Sequence, residues 1–187
     1  MVLVWPAREF LPGYVAALER GWSPDNVRGE AAAREELASI AANADAFLRS
    51  RVDRDARGGP IRLPDGTTVP RLPGYVRWMW DGEFCGSIGF RWQPGTEELP
   101  AYCPGHIGYA VVPWKQRRGY ATVALREMLK EAKAEGLRYV EITTDANNLP
   151  SQRVILANKG VLVEQFEKPA AIGGHIGFRY RVSTGGS

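Results

Sequence analysis

The stretch at residues 105–122 constrains the fold more than any other part of this 187-residue sequence. Residues 106–112 are apolar or small, which is typical of a short buried strand. Pro113 has no N–H to donate to a sheet, so the strand is expected to end there. From about Arg118, apolar residues recur with the spacing of one helical face. The sequence therefore predicts a strand, a tight loop and a helix in direct succession.

The loop at residues 116–122 has the composition of an anion-binding site. N–H groups at a helix N-terminus have no partner within the helix, and the helix dipole there favours negative charge. Gly119 has no Cβ, so an anion can approach the backbone closely, and Arg117 and Arg118 add positive charge. The pattern indicates a site for a phosphate or pyrophosphate. The alternative is an ordinary strand-to-helix turn in an α/β domain.

This segment resembles motif A of the GNAT acyltransferases, whose acyl-CoA-binding signature is Q/R-x-x-G-x-G/A. The signature runs here from Gln116 to Ala121, after a hydrophobic strand and Pro113 and before a helix. The strand and helix around the signature are the context that such a motif requires.

A second segment, downstream, resembles motif B of the same family. Its pattern is an N-x-x-S sequence, a helix and a Lys-Gly exit, matched here by Asn148, Ser151, Lys159 and Gly160. Val161 stands where a phenylalanine is usual. Ser151 is also a natural N-cap for the helix, a role that does not exclude contact with the cofactor.

The resemblance implies a mixed α/β (α+β) GNAT fold, with a central, mostly antiparallel sheet that is splayed at the acyl-CoA site and flanked by helices. No internal boundary is visible, so one N-acetyltransferase domain is expected over residues 1–187. Apolar spacing predicts helices at residues 9–20 and 30–50, which by the resemblance wall the acceptor site. The other expected elements are a loop at 51–72, a hairpin at 75–92 and strands at 138–144 and 174–182.

The hairpin and the loop after it carry two further expectations. Asp81-Gly82 is typical of a type I′ turn. The tryptophans of the hairpin are expected in the core, with one of them lining an acceptor pocket as the alternative. In the loop at residues 93–104, Glu97 and Glu98 are expected to attract a cationic amine.

The resemblance also implies how acetyl-CoA binds. In this family the pantetheine arm hydrogen-bonds to the motif A strand like an added strand, and the pyrophosphate lies on the loop that follows. A backbone N–H of that strand, that of Val111, is the expected donor to the tetrahedral oxyanion. The expected cofactor-binding residues are Tyr109, Ala110, Val111, Gln116, Arg117, Arg118, Gly119, Tyr120, Ala121, Thr122, Asn148 and Ser151.

Proton transfer is assigned less directly. His106 and Glu141 lie on the two strands expected to splay, and they are the candidates for the catalytic base. The alternatives are a structural histidine, a salt-bridged Glu141, a water relay, and His175 as the only other histidine. Many GNAT proteins place a tyrosine on the motif B helix to protonate the thiolate, but that position is Leu156 here. A thiol pKa of about 8.5 lets the thiolate leave without much help.

Composition limits the other classes of function. A net charge of +3 is too small to argue for nucleic-acid binding without a basic patch. No apolar run is long enough to cross a membrane, and the N-terminus lacks the pattern of a signal peptide. Cys85 and Cys103 have no metal-ligand spacing, so a reduced, cytoplasmic protein without a metal is expected, although a disulfide is left open. A homodimer is also left open.

The sequence thus predicts an N-acetyltransferase that transfers the acetyl group of acetyl-CoA to a primary amine by direct attack in a ternary complex. The acceptor amine belongs to a small molecule or a peptide. One alternative is another acyl donor. A second is a catalytically silent CoA-binding regulatory module, supported only by the missing tyrosine. A third alternative, a nucleic-acid-binding protein, is supported only by the basic charge of the sequence.

Overall fold

Two separate antiparallel sheets organise the chain in this computed structural model, which describes residues 1–63, 65–167 and 174–185. In chain order the elements are β1 (Val2–Val4), α1 (Leu11–Glu19), α2 (Glu30–Ser50), β2 (Val52–Asp53), β3 (Ile61–Arg62), β4 (Thr68–Val69), β5 (Gly74–Trp80), β6 (Phe84–Arg91), β7 (Ile107–Val111), a 3₁₀ turn (Pro113–Lys115), α3 (Tyr120–Ala134), β8 (Tyr139–Asp145), α4 (Leu149–Ala157), β9 (Val161–Glu167) and β10 (Ile176–Ser183).

The sheets meet at strands β7 and β8. The first sheet has the order β1-β5-β6-β7, with β2 also on β5, and the second has the order β8-β10-β9. A short ribbon pairs β3 with β4. Strand β7 is therefore the last strand of one sheet and β8 the first strand of the other. The predicted fold, a mostly antiparallel sheet that splays at the motif A strand and is flanked by helices, is confirmed.

The two strands touch at one end only. The His106 N–H donates to the Glu141 carbonyl at 2.7 Å, and the Glu141 N–H donates to His106 Nδ1 at 2.9 Å. A Cβ on Gly105 would lie 3.1 Å from the Glu141 carbonyl oxygen and 3.3 Å from the Thr143 nitrogen, so a side chain there would push the strands apart. The strands separate beyond this apex and leave a V-shaped gap.

Two hydrophobic cores hold the sheets in place. Helix α3 buries Leu125, Met128 and Ala132 against both sheets, including Val140 and Ile142 of β8. Helices α1 and α2 cover the opposite face of the first sheet, where the Tyr14 ring stacks on Trp78 at 4.6 Å. Trp78 is fully buried, which agrees with the expectation that the hairpin tryptophans lie in the core.

Several local expectations need correction. The β5–β6 loop has three residues, because Trp80 pairs with Phe84, and Asp81 does not have the positive φ that a type I′ turn requires. The expected loop at 51–72 contains the three short strands β2, β3 and β4. Strand β9 was not predicted, although it forms the edge of the second sheet.

Other expectations hold with small changes of boundary. The helix expected at residues 30–50 is α2, and the one expected at 9–20 is the shorter α1. Cys85 and Cys103 are both buried and free. Among the residues that the structure describes, no helix is both long enough and apolar enough to cross a bilayer.

Candidate active site

A cleft of about 1520 Å³ opens where β7 and β8 separate. The loop before α3, the start of α4 and the turn between α1 and α2 all contribute to its wall. Its lining residues come from nine stretches: 21–29, Pro104, 107–111, 113–122, 142–145, Asn148, 150–154, Phe166 and His175, although not every residue of each stretch contributes.

The β7 side of the cleft is an open strand edge. The Arg91 N–H donates to the His106 carbonyl, and the Val112 N–H donates to the Cys85 carbonyl. Since an antiparallel ladder alternates, Ala110 directs its backbone groups toward β6, whereas Tyr109 and Val111 direct theirs away from it. The backbone groups of Tyr109 and Val111 thus face the gap, and the expected contribution of Ala110 is limited to its cleft-lining side chain.

The same reasoning identifies the open edge of β8. The Thr184 N–H donates to the Arg138 carbonyl, and the Ala146 N–H donates to the Ile176 carbonyl. Alternation along the ladder turns the backbone groups of Glu141, Thr143 and Asp145 away from β10 and toward the gap. Glu141 uses its groups to close the apex, so Thr143 and Asp145 supply the facing edge.

The loop before α3 has the geometry of an anion site. Arg117 and Gly119 both have positive φ, 62° and 76°, and the chain therefore curls between them. Gly119 is the N-cap of α3, and the space where its Cβ would lie is open to 4 Å. Alternating backbone handedness and a free helix N-terminus turn successive N–H groups toward one side. Among the residues predicted for this loop, all but Arg118 line the cleft.

A charged cluster that the sequence did not reveal braces this loop. Lys115 Nζ lies 3.0 and 3.1 Å from the two carboxylate oxygens of Asp81, and the Tyr120 hydroxyl donates to Asp81 Oδ2 at 2.5 Å. Hydrogen bonds from Tyr120 and Lys115 hold the pKa of Asp81 well below its usual range. Lys115 also pairs with Glu83 at 3.0 Å. Lys115 is therefore already neutralised and does not supply a free cation.

At the start of α4, Asn148 and Ser151 occupy the positions predicted from motif B. The N-cap is Asn148 rather than Ser151, because the Asn148 side chain accepts the Ser151 N–H at 3.1 Å and Pro150 favours a helix that starts earlier. The Ser151 hydroxyl is instead 3.0 Å from the hydroxyl of Tyr109. Burial raises the pKa of Tyr109 to about 12, so its hydroxyl is protonated at neutral pH.

The structure does not place His106 in the cleft. Its side chain is fully buried, and its Nδ1 accepts the Glu141 N–H at the apex. Burial lowers the pKa of His106 to about 4, so the imidazole is neutral at physiological pH. The geometry is that of the structural alternative, in which the ring fastens β7 to β8.

Glu141 is also occupied. Its carboxylate oxygens lie 3.1 Å from Arg179 and 2.8 Å from Arg181, both on the neighbouring strand β10. The carboxylate is thus one of a salt-bridged set on the second sheet, and it does not line the cleft. This geometry also matches the structural alternative, and neither predicted base is positioned to receive a proton from an amine in the cleft.

Some cleft residues outside the loop at residues 116–122, called the phosphate loop below, have different chemistry. Asp25, in the turn between α1 and α2, lines the cleft, and so do Asp145, Phe166 and His175. No sequence pattern joins these residues. The pentad Gly-His-Ile-Gly-Phe at 174–178, which repeats the pentad at 105–109 with one change, was the only signal around His175.

Two other expected contributors lie elsewhere. Glu97 pairs with Arg138 at 2.6 Å and lines a separate pocket of about 360 Å³ beside the end of α3. Glu97 therefore does not line this cleft, and the expectation that it attracts the acceptor stays a prediction. Leu156, at the position of the missing tyrosine, is 55% exposed and does not line the cleft.

A splayed antiparallel sheet, with an open strand edge and a helix N-terminus beside it, is the arrangement that the resemblance to acyltransferases implied. The family model described as an acetyltransferase (GNAT) domain matches residues 43–159, which is more than half of the chain. The protein therefore belongs to the GNAT family and is an acetyltransferase. No curated protein shows significant sequence similarity to it.

Solved structures share the fold at low sequence identity. The microcin C7 self-immunity acetyltransferase MccE, in complex with acetyl-CoA and AMP, is 12% identical with a TM-score of 0.62, over 97% of this chain and 91% of that one. The acetyltransferase of Salmonella typhimurium that modifies the N-terminal serine of ribosomal protein L7/L12 is 14% identical, with a TM-score of 0.62 and coverage of 97% and 93%. A chimeric spermidine N-acetyltransferase SpeG from Vibrio cholerae and hSSAT is 10% identical, with a TM-score of 0.61 and coverage of 98% and 97%.

Proposed function

We propose that the protein transfers the acetyl group of acetyl-CoA to a primary amine, with both substrates bound in the cleft at the same time. The observation that carries this proposal is the continuous path from the open edge of β7 to the N-terminus of α3. A pantetheine arm is an amide chain that can pair with such an edge, and a pyrophosphate suits the loop at its end.

The cofactor contacts follow from the orientation of the backbone. Tyr109 and Val111 offer N–H and C=O groups to the pantetheine amides, and the Val111 N–H is placed to stabilise the tetrahedral oxyanion. The N–H groups at Gly119, Tyr120 and Ala121 surround the pyrophosphate. The remaining cofactor-binding residues of this proposal are Gln116, Arg117, Arg118, Thr122, Asn148 and Ser151, with Arg153 of the cleft wall added from the structure.

Proton transfer is reassigned on the geometry. The paired hydroxyls of Tyr109 and Ser151 are protonated donors at the start of α4, and they replace the missing helix tyrosine as the source of a proton for the departing thiolate. His175 lines the cleft, and it takes the role of base that His106 is too buried to fill.

Tyr109→Phe should lower kcat more than it raises the KM of acetyl-CoA. Equal rates in the variant and the wild type would show that the Tyr109 hydroxyl takes no part in the reaction.

Acidic residues of the cleft wall support a cationic acceptor. Asp25 and Asp145 both line the cleft, and an amine that approaches in its protonated form is attracted by negative charge. The attacking amine must lose its proton before it reaches the thioester carbonyl, so a base in the cleft is consistent with the reaction. A small-molecule amine and a peptide amine both meet these requirements.

Thiol release from acetyl-CoA in the presence of a panel of amines tests the proposal. The panel should include a polyamine, an aminoglycoside, free amino acids and short peptides with a free N-terminus. Release with any of them, accompanied by acetylated product, supports the enzyme. CoA binding by calorimetry without release across the panel would instead favour a silent regulatory module. A parallel series with propionyl-CoA and succinyl-CoA distinguishes acetyl from other acyl donors.

A further inference from the structure

We infer that Asp81, in the turn between β5 and β6, is a positioning residue that holds the phosphate loop in its binding conformation. Its carboxylate binds Lys115, which precedes the loop, and Tyr120, the first residue of α3. Residues 116–119, the part of the loop that precedes the helix, lie between these two anchors. One carboxylate on a neighbouring hairpin therefore fastens both ends of this four-residue segment.

The contacts leave Asp81 little freedom. Its side chain is 15% exposed, and that of Lys115 is 11% exposed, so water competes poorly for their ion pair. The Glu83 N–H adds a hydrogen bond to Asp81 Oδ1 at 3.3 Å. Strand pairing between β5 and β6 anchors the turn itself, since Trp80 is paired with Phe84 on either side of it. The carboxylate is thus presented by a rigid hairpin.

The loop has a reason to need this support. Arg117 adopts positive φ without being a glycine, a conformation that costs free energy unless the surrounding structure imposes it. The N-cap Gly119 has no side chain that could hold the first turn of α3. A fixed distance between Lys115 and Tyr120 imposes the curl between them and so preserves the convergent N–H groups.

Charge alone predicts the opposite effect of the carboxylate. Asp81 is negative and lies beside a site for a polyanion, so its removal would strengthen CoA binding if its charge were all that mattered. The positioning role predicts that its removal weakens CoA binding, because the loop loses both anchors. The sign of the change therefore separates the two explanations.

This inference rests on the proposed CoA site, and CoA itself is the probe. We expect Asp81→Asn to raise the Kd of CoA about tenfold, since a charge-assisted pair with two partners is lost. The KM of acetyl-CoA should rise in parallel, while kcat and the KM of the amine stay near their wild-type values. Tyr120→Phe removes one anchor without changing charge and should raise the Kd by a smaller factor.

Glu83→Gln is the matched control. Glu83 also pairs with Lys115, but its side chain is 76% exposed and it does not bind Tyr120. Its neutralisation changes the net charge by the same amount as Asp81→Asn and should alter the Kd about twofold at most. In a double-mutant cycle, Asp81→Asn should cost less in a Tyr120→Phe background than in the wild type, because the two changes break the same contact.

The outcomes are distinct. A Kd for Asp81→Asn that equals or falls below the wild-type value would overturn the positioning role while leaving the CoA site in place. Equal losses for Asp81→Asn and Glu83→Gln would attribute the effect to their shared partner Lys115 rather than to the link between Lys115 and Tyr120, and would overturn the positioning role as well. If the wild-type protein binds no CoA, both the proposed function and this inference fail. Should Asp81→Asn not fold, the Kd of Tyr120→Phe decides the question, and an unchanged value would overturn the inference.

Discussion

The proposed cofactor site and the proposed acceptor site are built in different ways. The proposed cofactor site draws mainly on one continuous segment, residues 107–122, and on its backbone groups. The proposed acceptor site collects residues from separate parts of the chain, including Asp25, Asp145, Phe166 and His175. The first kind of site depends on local backbone conformation, and the second depends on how distant elements pack. We therefore expect the two sites to respond differently to substitution.

The two histidines show the same contrast in nearly identical sequence. His106 and His175 both stand in Gly-His-Ile-Gly tetrapeptides that lead into strands. His106 is fully buried at the apex between the sheets, whereas His175 is exposed and lines the cleft. A shared tetrapeptide therefore does not imply a shared role, since the position of the following strand in the fold decides what the imidazole contacts.

The largest loss of CoA affinity is expected at the proposed cofactor site, from Gly119→Glu. The new carboxylate would stand in the anion site, where a side chain meets open space and so remains near the phosphates. We expect CoA affinity to fall on the order of a hundredfold or more. Gly119→Gln has the same size and the same strain at positive φ without the charge, so it serves as the control. Calorimetry that finds equal CoA affinity in Gly119→Glu and the wild type would remove the loop from the site.

The next effect tests the acceptor end. His175→Gln should lower kcat/KM for the amine by roughly 10²–10⁴-fold if His175 is the general base. The CoA affinity should change little, because His175 is not among the residues proposed to bind the cofactor. The pH profile of the rate provides the sharper measurement, with one amine used throughout. A His175→Gln variant that keeps both the wild-type rate and the wild-type pH profile would leave the amine's proton to Asp145 or to water.

The same contrast determines how much the sequence could predict. The residues around Gly119 were predictable because a strand, a proline, a glycine and a helix follow one another without interruption, so the local chain defines the geometry. Splayed strands also followed from the family resemblance. The bracing of the loop by Asp81 was hidden, because a contact across 34 positions to Lys115 leaves no local pattern.

The acceptor end could not be predicted for the same physical reason. The sequence makes His106 and Glu141 candidate bases because both lie on the strands expected to splay. In the structure the two residues are in contact, since the Glu141 N–H donates to His106 Nδ1. The sequence predicts each strand, but it does not show which way the side chain of His106 points. It also does not show whether a neighbouring strand places arginines beside the carboxylate of Glu141. Glu141 meets Arg179 and Arg181 only because β10 pairs with β8 in this register.

A moderate effect on stability is expected from His106. Its folded pKa of about 4 lies below its ordinary value of 6.5, so between these values the unfolded chain binds a proton that the folded protein does not. Unfolding is therefore favoured as the pH falls, and the free energy of unfolding should drop by about 2 kcal/mol between pH 7 and pH 5 from this group alone. Below pH 4 both states are protonated and the contribution no longer changes.

Urea unfolding of the wild type and of His106→Gln at both pH values measures this contribution. Glutamine keeps an acceptor for the Glu141 N–H but does not titrate, so the variant should lose less stability on acidification even if it is less stable at pH 7. Parallel losses in the two proteins would show that the apex histidine is not the group that titrates. The pH profile of the acetyl-transfer rate separates this role from catalysis. A structural His106 should alter the stability of the variant but leave that pH profile unchanged.

The smallest effect is expected from replacing Glu97 and Glu98 together with glutamine. Glu97 is held by Arg138 at 2.6 Å, and this guanidinium lowers the pKa of Glu97 to about 2, so the carboxylate is ionised but engaged. The pocket it lines is separate from the cleft, and Glu98 does not line the cleft either. The field of such a screened pair decays within about one Debye length, so the amine should hardly sense its removal. We expect the KM of the amine to stay within about twofold of the wild-type value at physiological salt.

Asp25→Asn is the matched comparison, since it replaces one acidic residue that does line the cleft. It should raise the KM of the amine more than the double replacement does. If the double replacement raises the KM of the amine more than Asp25→Asn does, the acceptor binds near Glu97, and the acceptor site proposed here is wrong.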